Sequence, residues 1–150
     1  MNSLKEKIHN KCIELVDQTV IMHQKAMNDA QDAANKEQRS TAGDKYDTSR
    51  AMSQNERDMY ASRLADSLQM KKVLNNIDPH KTLEQAESGA LVVTDNGNYY
   101  LSVSLGKISI DEEECFAISP MTPAGQAMLG KRVGDTFEIR GQSSLIKNIW

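Results

Sequence analysis

The chain has 150 residues, 18 of them basic and 21 acidic, for a net charge of −3 and a pI near 5.6. That length excludes a large multidomain enzyme, and the acid excess excludes a bulk electrostatic grip on nucleic acid. Aromatic residues make up 5% of the chain against eight methionines, a composition suited to helix packing rather than to an aromatic-lined ligand pocket.

The N-terminus is polar from the start, no apolar run approaches the roughly 20 residues of a membrane span, and Cys12 and Cys115 form no CxxC pair. These features predict a cytoplasmic protein without a membrane partner or disulfide framework.

Glycine and proline divide the chain. Of eight glycines only Gly43 precedes residue 89, and the three prolines are Pro79, Pro120 and Pro123. Residues 1–78 are therefore predicted as a helical hairpin, with a tip at 40–47, residues 79–88 as a linker, and residues 89–150 as a second domain. In the first helix, Leu4 to about Arg39, the apolar residues Leu4, Ile8, Cys12, Leu15, Met22, Ala26, Ala30 and Ala33 recur at helical spacing and predict one narrow seam. Ser3 and Glu6 read as a capping box. A second seam is predicted through Met52, Met59, Tyr60, Met70, Leu74 and Ile77, with Leu64 and Leu68 at its edge and Glu56, Arg63 and Ser67 interrupting it. Narrow seams joined by a short turn predict an antiparallel coiled coil, about 50 Å long at 1.5 Å per residue.

From Gly89 the pattern changes to period two. Ala90–Thr94 and Asn98–Ser104 read as strands joined at Asp95-Asn96-Gly97, where Gly97 can take positive φ. Further strands are predicted at 107–110, 115–118, 136–139 and 144–149. Between them lies one short helix, with Thr122 as N-cap, Pro123 at its first position and Gly130 past its end. The fold class is thus α+β, a coiled-coil hairpin followed by a small antiparallel sheet domain with one helix.

The sharpest constellation is at the tip. Gly43-Asp44-Lys45-Tyr46-Asp47 places two carboxylates three residues apart, on one side of a helix that starts near Asp44. Two readings stay open: Asp44 and Asp47 could share a Mg²⁺ ion with another molecule, or they could cap the helix and complement its dipole. His9 and His23 are expected on the helix surface, His80 in the linker, Cys12 and Cys115 as small buried hydrophobes, and Asp111-Glu112-Glu113-Glu114 as a solvated loop. Phosphate-binding glycine motifs, GxSxG and HExxH do not occur.

Three features together resemble the Gre-type (GreA/GreB-like) transcript cleavage factors, bacterial proteins that insert a coiled coil into the secondary channel of RNA polymerase. These are the hairpin-then-sheet layout over nearly the whole chain, the tip Gly43-Asp44-Lys45-Tyr46-Asp47 against the family's Gly-Asp-x-x-Glu, and residues 118–139. The last segment, ISPMTPAGQAMLGKRVGDTFEI, is similar to the family signature in which Ser-Pro leads into a short helix and then Gly-Lys-x-x-Gly-Asp-x-x-Glu.

The resemblance implies an FKBP-like C-terminal domain that docks on the polymerase through Ser119, Pro120, Met121, Thr122, Pro123 and Met128. It also implies tip acids Asp44 and Asp47 that help hold the polymerase's second Mg²⁺ for cleavage of a backtracked nascent RNA, with no catalysis by the chain alone. At the tip Asp47 stands for Glu, and where the family continues Asn-Ala-Glu-Tyr this chain continues Thr48-Ser49-Arg50, without the further acid and the aromatic. The alternative implied is a channel-binding regulator or inhibitor of the same architecture without cleavage activity. A minor alternative is a prolyl isomerase, whose pockets are aromatic; after residue 90 the chain offers only Tyr99, Tyr100, Phe116, Phe137 and Trp150. The chain is too short for the fold of a thiol acyl-transfer enzyme.

Overall fold

Long stretches free of interior glycine and proline become two long helices, and the glycine-punctuated remainder becomes a sheet. In a computed structural model, which describes residues 2–37 and 43–150, these elements are α1 (Asn2–Glu37), α2 (Gly43–Asn75), β1 (Leu91–Thr94), β2 (Gly97–Leu101), β3 (Gly106–Ile110), β4 (Glu113–Ile118), α3 (Pro123–Met128), β5 (Thr136–Ile139) and β6 (Gln142–Ile149). The α+β class and the order of elements are those predicted. Among the described residues no helix is long and apolar enough to cross a membrane. The chain divides into two compact units, one comprising Leu15–Lys71 and the other Met1–Glu14 with Lys72–Trp150.

In the Leu15–Lys71 unit, Lys71 Nζ lies 2.8 Å from Asp17 Oδ1 and His23 Nδ1 lies 2.9 Å from Ser67 Oγ. Partners descend along α2 as they ascend along α1, so the helices run antiparallel. The buried positions are Val16, Ala30, Ala34, Leu64 and Ser67. This re-phases both predicted seams. Val16 takes the place expected for Leu15, Ala34 that for Ala33, and Met22 and Met52 are exposed at 58% and 67%. A polar pair also lies inside the interface. Ser67 Oγ donates to Arg63 O at 3.0 Å and so receives the hydrogen of His23 Nδ1, placing on the seam two residues that hydropathy had left outside it. Small alanines still line α1 toward the tip, as predicted. The tip residues 38–42 lie outside the described part.

In the other unit the sheet order is β3-β4-β2-β1-β6-β5. All neighbours are antiparallel except β2 and β4, which pair in parallel from Tyr99↔Phe116 to Leu101↔Ile118. The sheet is therefore mixed rather than purely antiparallel. After β2 the chain places β3 at the sheet edge, and the β3–β4 hairpin folds back into the gap, so a strand takes the place of the usual helical crossover. The run expected as an acidic loop spends only Asp111 and Glu112 on the turn, with Asp111 at φ 50°, and Glu113 and Glu114 continue as exposed strand.

Alternation assigns the two faces. Tyr100, its pair partners Leu91 and Ala117, and Cys115 with Ile108 share one face, which meets the first turns of α1. The opposite face holds the cluster of Ala86, Ala90, Val92, Leu101, Phe137, Ile146 and Ile149, closed by Met128 of α3. Burying a side chain the size of Leu or Met contributes about 1.5–3 kcal/mol, so Met128 is a main anchor of α3 on the sheet.

Candidate functional site

Residues 118–139 fold into a pinned loop, a helix of under two turns and a tight turn, each held by hydrogen bonds the sequence encodes. Ser119 is the hub. Its N–H donates to Ser104 Oγ at 3.1 Å, its Oγ accepts from Met121 N at 3.1 Å, and its carbonyl accepts from both Thr122 N (3.1 Å) and Thr122 Oγ1 (2.8 Å). Thr122 Oγ1 in turn accepts from Gly125 N at 3.1 Å, the N-cap bond predicted, and Pro123 occupies the first turn where its missing N–H costs nothing. Gln126 Nε2 donates back to Pro120 O at 2.7 Å. Gly125 is the residue the packing requires. A Cβ there would lie 2.2 Å from Ser119 O and 2.7 Å from Pro120 Cα, so only glycine lets the loop lie against the helix.

Beyond α3, Gly130 N donates to Ala86 O at 2.7 Å and Ala86 N to Lys131 O at 2.8 Å. The Gly-Lys-x-x-Gly-Asp stretch then closes on itself. Asp135 Oδ2 accepts from Arg132 N at 2.8 Å, and Gly134, at φ +92°, donates to Ile146 O at 2.9 Å. The signature thus encodes a rigid loop-helix-turn docked on the sheet.

Within this segment the residues expected to meet a partner separate. Met121 is 83% exposed, at the head of the pinned loop. Ser119 and Pro120 are partly exposed, and Thr122 and Pro123 line a surface groove of about 360 Å³ with Ala124, Glu138, Ile139 and Arg140. Met128 is the correction. It has no exposure and closes the core beneath α3, because a six-residue helix has one inward face and Met128 is on it with Gly125. It supports the loop and does not face a partner.

Of the tip, α2 begins at Gly43, which puts Asp44 and Asp47 at the start of that helix; their side chains fall outside what the structure describes. At the other end of the hairpin, α1 begins at Asn2, so Ser3 lies inside the helix and is not its cap.

A second cluster lies where α1 meets the sheet, and sequence reasoning missed most of it. His9, expected on the surface, is buried with its Nδ1 2.7 Å from the hydroxyl of Tyr100, and the two rings meet edge to face. Lys5 is also buried, its Nζ donating to Lys81 O (2.7 Å) and Trp150 O (3.0 Å). Burial holds the Lys5 amine below its ordinary value, opposed by the charge of Asp78. The His9 ring is also held below its usual 6.5, first by burial, then by Lys5 and His80, with Asp78 opposing. Burial pushes the Cys12 and Cys115 thiols up to about 12, and it also raises the Tyr100 hydroxyl above its ordinary value. The Ser102 hydroxyl lies beside Cys12 without a hydrogen bond of good geometry. Neither thiol is activated, as expected of buried cysteines. The available signal was spacing: Lys5, Ile8, His9 and Cys12 lie on one helical face, and only hydropathy argued against two of them. His80 is exposed, 3.8 Å from Glu6. Among the described residues no group of three His, Cys, Asp or Glu could hold a metal.

No protein-family model matches the chain, and no curated protein matches it. Among solved structures, one of the transcription factor Gfh1 is similar over 91% of this chain and 92% of that one, at 17% identity and a TM-score of 0.37, a likeness too weak to bear on function.

Proposed function

We propose that this chain is an RNA polymerase-binding transcription elongation factor of the Gre type, acting through docking of its sheet unit and through its hairpin tip, with no catalysis of its own. The observation that carries the reading is the loop at Ser119-Pro120-Met121. The signature residues converge on holding an apolar side chain, Met121, out in solvent on a backbone that cannot relax, and the core has no need of that arrangement. Thr122, Pro123 and the groove beside them extend the same surface.

The tip donors are two carboxylates at i and i+3 in α2, hard oxygen ligands that suit Mg²⁺ when a second molecule completes the shell. Asp44 and Asp47 would hold that ion in common with the polymerase, and the ion would supply charge neutralisation for cleavage of a backtracked RNA. A channel-binding regulator without cleavage is the second reading. The tip sequence favours it, since Asp47 reaches one methylene less than Glu and Thr48-Ser49-Arg50 follows it.

The test is the double substitution Asp44→Asn, Asp47→Asn. It keeps capping ability, because Asn caps about as well as Asp, and it removes both charges. The cleavage reading requires the variant to bind stalled polymerase and to lose Mg²⁺-dependent RNA cleavage. Wild-type protein that binds and never stimulates cleavage establishes the regulator reading instead. Absence of any association with polymerase at low salt refutes both.

A further inference from the structure

The β1–β2 turn contains the chain's one Asn-Gly step, Asn96-Gly97, and the fold treats it unusually. Both Asp95 and Asn96 are exposed, yet the turn is clasped to the neighbouring strand. Asp95 N donates to Leu145 O at 3.2 Å, Asp95 Oδ1 accepts from Leu145 N at 2.8 Å, and Asn96 Nδ2 donates to both Ser143 O and Ser144 Oγ at 2.9 Å. Inside the turn, Asn96 N donates to Thr94 Oγ1 at 3.0 Å, and Thr94 Oγ1 donates to Gly97 O at 2.8 Å. Gly97 sits at φ +128°, with no atom within 4 Å of where a Cβ would project.

We propose that Asn96 is a site of covalent modification by deamidation, and that its two hydrogen bonds to Ser143 and Ser144 gate the reaction. An asparagine followed by glycine has the least hindered backbone nitrogen behind it. Once Gly97 N loses its proton it can attack Asn96 Cγ. The new N–C bond closes a five-membered imide, the Cγ–Nδ2 bond breaks, and ammonia leaves. Water then opens the imide at either carbonyl, giving aspartate or isoaspartate; no oxidant or cofactor is needed.

Exposure supplies the water, and the missing side chain at Gly97 leaves the attacking nitrogen without a shielding group. What opposes it is the clasp, since Nδ2 must leave both acceptors before Cγ can turn toward Gly97 N. Conversion also weakens the clasp that restrains the turn. The product carboxylate has no N–H to give and would face the Ser143 carbonyl oxygen, so that half of the clasp could not re-form, and only the Ser144 hydroxyl could still donate to the side chain.

The test uses the full chain aged in mildly alkaline buffer, with peptide mass mapping and isoaspartate detection at Asn96. Asn98 and Asn148, followed by Tyr99 and Ile149, serve as internal controls. Three samples are compared: folded wild type, folded Ser144→Ala, and wild type unfolded in guanidinium chloride. The proposal expects conversion at Asn96 alone, slow in the folded wild type, several-fold faster in Ser144→Ala, and fastest in the unfolded chain. No conversion in the unfolded chain removes the site. Equal rates in folded and unfolded wild type remove the gate, independently of how well the variant folds.

Discussion

Gly125→Ala sets two magnitudes against each other in one substitution. Gly125 lies in α3 at an ordinary helical backbone angle, and replacing a helical glycine by alanine normally stabilises by about 0.5–1 kcal/mol. Here the new Cβ would stand 2.2 Å from Ser119 O, 2.7 Å from Pro120 Cα and 3.0 Å from Pro120 C, all backbone atoms with no side-chain rotation to relieve them. Moving Ser119 O aside breaks the bonds it accepts from Thr122 N and Thr122 Oγ1, each worth a net of about 1 kcal/mol. Turning Thr122 away also weakens the cap to Gly125 N, about 1 kcal/mol more. Against the helical gain, the net loss is about 2 kcal/mol. For a chain of this length that lowers Tm by roughly 4–8 °C, measurable by circular dichroism or calorimetry. Binding to polymerase should fall as well, because Met121 rides on the displaced loop. A Gly125→Ala variant that melts at or above the wild-type temperature would show that the Ser119-Pro120 loop moves freely, and the argument for a pinned docking loop would fail with it.

Met121→Asp should leave stability within about 0.5 kcal/mol and weaken polymerase binding, whereas Met128→Ala should cost about 2–5 kcal/mol; denaturant melts of the two separate surface from core. His9 makes stability pH-dependent: the unfolded chain takes up a proton near 6.5, while the buried ring, faced by Lys5, Asp78, His80 and Tyr100, resists until lower pH. Its contribution is therefore complete above about pH 6.5 and lost on acidification, so Tm should fall from pH 7 to pH 5 less steeply in His9→Gln than in wild type. Cys12 and Cys115, with thiols near 12 and no solvent access, should resist a thiol reagent at neutral pH in the folded protein and react when it is unfolded; rapid native labelling would contradict their burial.

Local chemistry was legible from the chain alone. Thr122-Pro123 starting α3, Gly97 at positive φ in the first hairpin, the switch from helical to alternating period near Gly89, and the α+β order each follow from bonds or steric limits within a few residues, where sequence distance equals spatial distance.

The tertiary structure decided what depends on a partner distant in sequence. His9 is buried because Tyr100, 91 residues away, supplies the bond that makes burial affordable. Lys5 is buried because Lys81 and Trp150 turn carbonyls toward it. The hairpin seam takes in Ser67 because His23, 44 residues away, bonds its hydroxyl across it. Met121 and Met128 are the same residue type in one short segment, and only the packing of α3 on the sheet sends one to solvent and the other to the core. Hydropathy ranks a side chain by its cost in isolation, and a polar group that finds its hydrogen bond no longer carries that cost.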